Sequence, residues 1–517
     1  MATKKILQIG NDASLNIALD TIKKGKQALV FVNSKRSAEK TAEEIAKKNQ
    51  IVDKKCGLLA KKILGVLSKP TKQCKRLAAC VEKGTAFHHA GLTYKQRELI
   101  EDNFRSGVIK IISSTPTLAA GIDLPAFRAI IRDLKRFGPM GMKNIPVLEY
   151  LQMAGRAGRP SYDSFGEAIC LAGTEGEKDA VYDQYIMGEP EDIYSKLAVE
   201  PVLRTYLLSL IASNFLKSKE QIIAFFEKTF WAYQFKDMHK LEGSIQKMLM
   251  LLEEWEFISS TQDEFVSASD LDNIKFKATL LGKRVAELYL DPLTAHELIK
   301  GIKNATAVRA LSFSFLQLMS YTLEMRPLLN VPTREYDIVQ EELNKYADRL
   351  LMDEPSFYDD DSADFMKSIK TAMLFDEWIN EKDEEYILER FGVRPGELKV
   401  KLDIADWLFY SCQEIVKILQ FPDVGRKLSK LRLRLSYGIK EELFALIRIR
   451  NIGRVRARNL FKNGVKDVRD IKNVDIIKLT QIIGKATALK VKKEVGLEIK
   501  EVPKGTRKGQ LSIKKFK

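Results

Sequence analysis

Residues 1–190 switch repeatedly between two hydrophobic patterns. Short apolar runs at Ala28–Val32, Thr85–His88, Val108–Ser113, Ala129–Arg132 and Glu167–Leu171 have the length and composition of buried strands. Between them, stretches such as Ser34–Lys48 and Thr93–Ser106 carry apolar residues at helical spacing. This alternation predicts a parallel sheet covered by helices. Residues 51–81 add a further helical element, apolar at Leu58, Leu59, Ile63 and Leu67 with lysines between. From Leu197 the period becomes helical, through Val199–Ser213, Lys219–Lys228 and Met238–Glu254. Two short extended pieces follow, Phe257–Ser260 and Ile274–Ala278, around the polar loop Thr261–Asn273. Helices followed by such a ribbon predict a winged-helix module over 191–292. Residues 293–437 read as a helical bundle, broken by the acidic stretch Asp353–Asp361, which lacks the spacing of a calcium loop and is expected to be a solvated loop. Residues 438–500 read as short helices joined by glycine turns, and 501–517 as a basic, disordered tail.

Composition adds a partner class. The chain has 517 residues, 45% hydrophobic and 30% charged, as ordinary globular proteins do. Its 85 lysines and arginines against 69 acidic residues leave a net charge of +16, which favours a polyanion, most simply nucleic acid. A membrane surface is disfavoured, because no apolar run reaches spanning length and no signal peptide is visible. The five cysteines form no C-x-x-C pair, so neither a zinc site nor a disulfide framework is indicated. A cytoplasmic location and no metal site are expected.

The candidate chemistry centres on Gln152-Met-Ala-Gly-Arg-Ala-Gly-Arg159. Two arginines three apart, each after a glycine, suit bidentate contact with a polyphosphate, and the small residues between them allow close approach. Upstream lie Ser113-Ser-Thr-Pro-Thr-Leu-Ala-Ala-Gly-Ile-Asp-Leu-Pro125, Phe87-His-His-Ala-Gly-Leu92 and Ala28-Leu-Val-Phe-Val-Asn-Ser34. In this order and spacing the four blocks resemble motifs IV to VI of superfamily-2 helicases. The likeness is greatest to archaeal Hjm-type DNA helicases, relatives of the helicase half of DNA polymerase theta, and it runs over essentially the whole chain.

The resemblance implies an α/β RecA-like domain (1–190) followed by mainly α domains: winged helix (191–292), helical ratchet bundle (293–437) and helix–hairpin–helix (438–500). It implies an ATP-dependent 3′-to-5′ DNA helicase acting on forked or branched DNA in repair and recombination. Arg156 and Arg159 would face the β- and γ-phosphates of ATP, with Gln152 nearby. Asp123, just after Gly121, would contact the ribose or relay movement. No G-x-x-x-x-G-K-[ST] and no D-E-x-H block occurs in the 517 residues. The expectation is therefore a chain without the first RecA-like domain, which would supply the magnesium ligands, either in trans or not at all. Alone it would bind ATP weakly and hydrolyse none.

DNA contacts are expected from Asn33, Ser34, Thr115 and Thr117, small donors placed after strands or at helix starts; helix N-capping is their compatible structural role. His88 and His89 are expected to be structural or strand-contacting rather than metal-bound. The run Phe127–Phe137 followed by Gly138–Pro146 reads as a hairpin, which in the resembled family wedges open the duplex. Phe137 and Met140 are its apolar candidates. Trp407, on a helix over Leu398–Leu419, would stack on a base. The basic residue that often precedes that tryptophan by two turns is replaced by Val400, between Lys399 and Lys401. Ile447–Arg458 resembles a helix–hairpin–helix, with Arg454, Arg456 and Arg458 as phosphate ligands. In the tail, Gln510, Ile513 and Phe516 match Q-x-x-[apolar]-x-x-[aromatic], the pattern of a sliding-clamp peptide, although a basic tail is an equal reading. Two alternative functions stay open: a non-enzymatic DNA-binding subunit of a split helicase, and a related RNA helicase.

Overall fold

Ala28-Leu-Val-Phe31 (β1) has no polar position, and all four of its residues are buried. The same holds for burial at Thr85–His88 (β2), Ile111–Ser114 (β3) and Arg128–Ile131 (β4). With Glu167–Cys170 as β7 these strands form one parallel sheet in the order β2-β3-β1-β4-β7. Burial on both faces is what a parallel sheet covered by helices requires. A separate antiparallel hairpin pairs Lys135–Gly138 (β5) with Gly141–Asn144 (β6). This computed structural model describes residues 6, 8–49, 53–119, 121–138, 141–159, 163–261, 275–356 and 358–497.

Local chemistry fixes the helices around the sheet. Ser34 caps the helix Lys35–Lys48 by accepting from Ser37 N–H at 3.1 Å. Thr93 and Gln96 form a reciprocal capping box at the start of Tyr94–Arg105. The extra element expected over 51–81 is two helices, Lys54–Leu64 and Lys72–Val81. Arg128 is 1% exposed at the start of β4. Its guanidinium donates to Glu167 Oε2 at 2.5 Å, Asp20 Oδ2 at 2.6 Å and Thr21 Oγ1 at 3.0 Å.

The chain divides into two compact units, Met1–Tyr194 with Glu384–Val400, and Ser195–Asp383 with Lys401–Lys517. In the first unit, the helix Glu384–Phe391 and the first turns of the helix Pro395–Leu419 pack on the helices beside the sheet. Arg394 Nε donates to Glu39 Oε1 at 3.1 Å, and Lys72 N–H donates to Glu385 at 2.8 Å. Lys35 also pairs with Glu397. Gly396 N–H donates to the carbonyl of Gly91 at 3.0 Å. A Cβ on Gly396 would sit 2.2 Å from the Leu92 carbonyl oxygen, so only glycine permits this backbone approach. The sequence pattern had run these residues with the helical bundle. Periodicity reports that a helix face is buried, not which surface buries it.

The second unit begins with helices Glu200–Ala212, Lys219–Phe226, Phe230–Phe235 and Met238–Glu254, followed by the antiparallel pair Ile258–Thr261 (β8) and Lys275–Ala278 (β9). A buried bidentate pair, Arg204 with Asp291 at 2.7 and 3.0 Å, joins Glu200–Ala212 to the cap of Pro292–Ala307. Further helices include Ser312–Tyr321, Ser362–Ile379 and Pro422–Tyr437, the last ended by Gly438 at φ +63°. A separate apolar core from Ile439 to Val495 holds the last short helices together. No helix among the described residues is long and apolar enough to cross a membrane.

Candidate functional site

The helix Val147–Ala154 runs into the arginine segment. That segment is stitched to the chain entering β4: Ala126 N–H donates to the Arg156 carbonyl at 2.9 Å, and Gly158 N–H donates to the Ala126 carbonyl at 2.7 Å. Gly158 has φ +94°, and a Cβ on Gly166 would lie 2.2 Å from Gly158 N, so both positions need glycine. Arg156 donates from Nε and Nη2 to the Ala119 carbonyl at 3.2 and 2.5 Å. Its Nη1 lies 3.7 Å from Asp123 Oδ1, whose side chain is 95% exposed. Gln152 is exposed, and Gly121, at φ +81°, precedes Asp123 by two residues.

Arg159 takes a different position. Its Nε and Nη2 donate to Asp163 at 2.7 and 3.3 Å, and its Nη1 donates to Gln27 Oε1 at 2.6 Å. Lys26 also reaches Asp163, at 2.6 Å. The Arg159 hydrogen bond, with Lys26 adding, holds the Asp163 carboxyl below the usual range. Gln27 immediately precedes β1, so Arg159 is anchored at the edge where that strand enters the sheet. Asp163 and Gln27 were not singled out from sequence. The Arg159–Asp163 spacing of four was the available signal.

Asn33 and Ser34 follow β1, at the opposite edge. Asn33 N–H donates to Asp133 at 3.0 Å, and its side-chain amide donates to the Lys135 carbonyl at 3.3 Å. Ser34 is the helix cap described above. Thr115 and Thr117 share a hydroxyl hydrogen bond of 2.9 Å at the turn after β3, with Thr117 exposed. The hairpin β5–β6 leaves β4 at the same edge. Phe137 is 81% exposed and registered opposite Met142, itself exposed. Met140 lies outside the described residues, and Met142 is the apolar partner that sequence reading missed. His88 Nε2 lies 2.9 Å from Glu101, and His89 Nε2 makes a close, poorly aligned 3.3 Å contact with Glu39. Burial lowers the pKa of His89.

In the second unit, Trp407 is half-buried, and its indole N–H donates to the Leu288 carbonyl at 3.2 Å. Lys401 Nζ donates to the Pro327 carbonyl at 2.8 Å, and Val400, in the first unit, is exposed. The hairpin turn before the helix Arg454–Lys462 places Asn451 at φ +68°. Its three arginines diverge. Arg454 stacks 4.2 Å over the Trp378 ring and donates to the Lys382 carbonyl. Arg458 binds Glu381 and Glu442, which raises its pKa. Arg456 is exposed and donates to the Asn451 carbonyl at 2.9 Å, and Arg448 and Arg450 are also exposed. A second turn went unrecognised: Ile452-Gly453-Arg454 recurs as Ile483-Gly484-Lys485, and each glycine opens a helix whose first amides no side chain caps. The candidate clamp residues Gln510, Ile513 and Phe516 lie outside the described residues.

Comparison with known proteins agrees with this layout. Residues 60–161 match the helicase conserved C-terminal domain, 313–438 match domain 4 of archaeal helicases, and 444–496 match a SAM-like helix–hairpin–helix tandem. The ATP-dependent DNA helicase Hel308 of Methanococcus vannielii is 37% identical, over 96% of this chain and 69% of its own length. The Hel308 proteins of Pyrococcus horikoshii and Pyrococcus abyssi are each 40% identical, over 96% of this chain and 67% of theirs.

Proposed function

The chain belongs to the Hel308 family of ATP-dependent DNA helicases, and from that premise we propose that it is the C-terminal portion of a 3′-to-5′ helicase that opens forked or branched DNA. In this reading, which includes the Hjm-type likeness, the parallel-sheet unit is the second RecA-like domain. The helices from Glu200 with the β8–β9 ribbon are a winged helix, the middle helices are the ratchet bundle, and the last core is the helix–hairpin–helix module. The observation that carries the reading is the separation of chemistries across one sheet: Arg156 and Arg159 are fixed around the entry to β1 and β4, and Asn33, Ser34, Thr115 and the hairpin stand at the strand exits. Such an arrangement lets nucleotide and strand be handled on opposite rims.

ATP is the substrate. Gln152, Asp123 and Arg156 reach solvent and suit it. Arg156 has its guanidinium held on a backbone carbonyl and meets the phosphates without reorientation. Arg159 exchanges Asp163 for the γ-phosphate and neutralises charge that grows in the transition state. Magnesium ligands belong to a first RecA-like domain. At the exit side Phe137 and Met142 wedge the junction, and Trp407 stacks through its exposed face. The tail pattern Gln510, Ile513, Phe516 suits a sliding clamp. An RNA helicase or a non-enzymatic subunit is not favoured, because the matched relatives are named DNA helicases.

The experiment is reconstitution. The 517-residue chain alone shows no DNA-stimulated ATPase, and adding a first RecA-like domain restores turnover of about 1–100 s⁻¹. Arg159→Ala then lowers turnover by about 10³-fold or more and leaves DNA affinity unchanged. Equal loss of both would place Arg159 on the strand instead.

A further inference from the structure

The second unit holds a small basic cavity of about 240 Å³. One wall is the first turn of Ser312–Tyr321, with Leu311 and Ser312. The other is the helix Pro422–Tyr437, with Lys427, Lys430 and Arg434, and Glu441 stands at the rim. Spacings of three and four place the three cations on one helix face. Their countercharge is incomplete. Lys430 pairs with Glu441 at 3.1 Å. Arg434 donates only to neutral oxygens: Ser312 Oγ at 3.1 Å, the Ile439 carbonyl at 3.3 Å and the Ile379 carbonyl at 3.5 Å. Among the described residues, no carboxylate pairs with Arg434 or Lys427.

Burial lowers the Arg434 pKa, and Glu441 and Asp376 offset this only in part. Asp376 is itself pushed toward its neutral form by burial. A half-buried arginine without a paired anion is unfavourable unless something supplies one. On the opposite wall Ser314 Oγ accepts from Leu311 N–H at 3.1 Å, and Ser312 presents its hydroxyl to Arg434.

We propose that this cavity binds one phosphate-type oxyanion, whose oxygens accept hydrogen bonds from Arg434, Lys427 and the Ser312 hydroxyl. Its convergent cations match a compact, multiply charged tetrahedral group. The oxyanion is either a backbone phosphate of DNA at the cavity mouth or a free phosphate. The proposal does not rest on the helicase reading, because its first test contains no DNA.

The full chain is titrated with inorganic phosphate and followed by phosphorus NMR line broadening, beside Lys427→Gln and Arg434→Lys. Lys427 is exposed, so its replacement does not threaten folding. Saturable millimolar binding, weakened about tenfold or more in both variants, supports the site. A second arm measures single-stranded DNA affinity against salt. A log–log slope reduced by about one unit in Lys427→Gln, with phosphate competing, identifies a backbone phosphate. An unchanged slope with phosphate binding weakened identifies free phosphate. If neither variant changes phosphate binding or the DNA slope, the site is rejected.

Discussion

Glu39 is 3% exposed and still an anion. Burial alone would raise its pKa; contacts with His89 and Gln73 and the charges of Arg394 and Arg76 instead hold it at about 2. Because the folded value lies below the ordinary 4.5, the stabilisation is fully present above about pH 4.5. It is lost as pH falls from there toward 2. A displacement of this size is linked to about 3 kcal/mol. Glu39→Gln is therefore less stable than wild type at neutral pH, and its stability changes less between pH 4.5 and 2. Chemical unfolding followed by circular dichroism across that range measures both. Arg128 makes the same kind of statement inside the sheet. Arg128→Ala removes the buried guanidinium that bridges Asp20 and Glu167, while Lys24 still pairs with Asp20; it lowers stability by about 1.5–3 kcal/mol, read from the unfolding midpoint. Neither residue was visible from sequence. A glutamate amid lysines looks like a solvated helix face, and an arginine opening a strand looks like an edge charge. Only long-range packing makes them buried ions.

Among elements, the last module separates arginines that look alike in sequence. Arg448, Arg450 and Arg456 face solvent, whereas Arg454 and Arg458 hold the module to Trp378 and Glu381, and Arg458 also pairs with Glu442 inside the module. Replacing the first three with glutamine flattens the slope of log DNA affinity against log salt by about two to three units. Replacing Arg454 and Arg458 instead lowers the melting temperature and changes the slope less. Equal slopes for the two sets would reject this division. The helices and the turn were legible, because Asn451-Ile-Gly-Arg and the apolar spacing fix a hairpin locally. Which arginines face outward was not, because that depends on Trp378 and Glu381 some seventy residues earlier. The β5–β6 hairpin was legible for the same local reason. Phe137→Ala with Met142→Ala abolishes strand separation by the reconstituted enzyme and preserves DNA-stimulated ATPase, checked by parallel unwinding and hydrolysis assays.

For the whole molecule, the alternation of strands and helices and the change to helical period near Leu197 were enough to read a parallel sheet followed by helical parts. The partition of the chain was harder. Glu384–Val400 belongs by contact to the unit that begins the chain, and its residues show only an amphipathic helix and a Gly396 with no local reason to be glycine. A protein comprising residues 1–194 leaves Glu39 without Arg394 and Gly91 without its backbone partner. It melts below the same fragment supplied with a peptide of residues 384–400, and equal melting temperatures with and without saturating peptide would remove that segment's structural role.

The same discontinuity sets a clock during synthesis. About 200 residues separate Tyr194 from Arg394, and ribosomes add roughly 5–20 residues per second. The sheet unit therefore waits about 10–40 s, its charged seat around Glu39 open, before the segment that closes it leaves the ribosome. During that interval the Glu39 carboxylate and the Gly91 carbonyl lack the partners that Arg394 and Gly396 later supply.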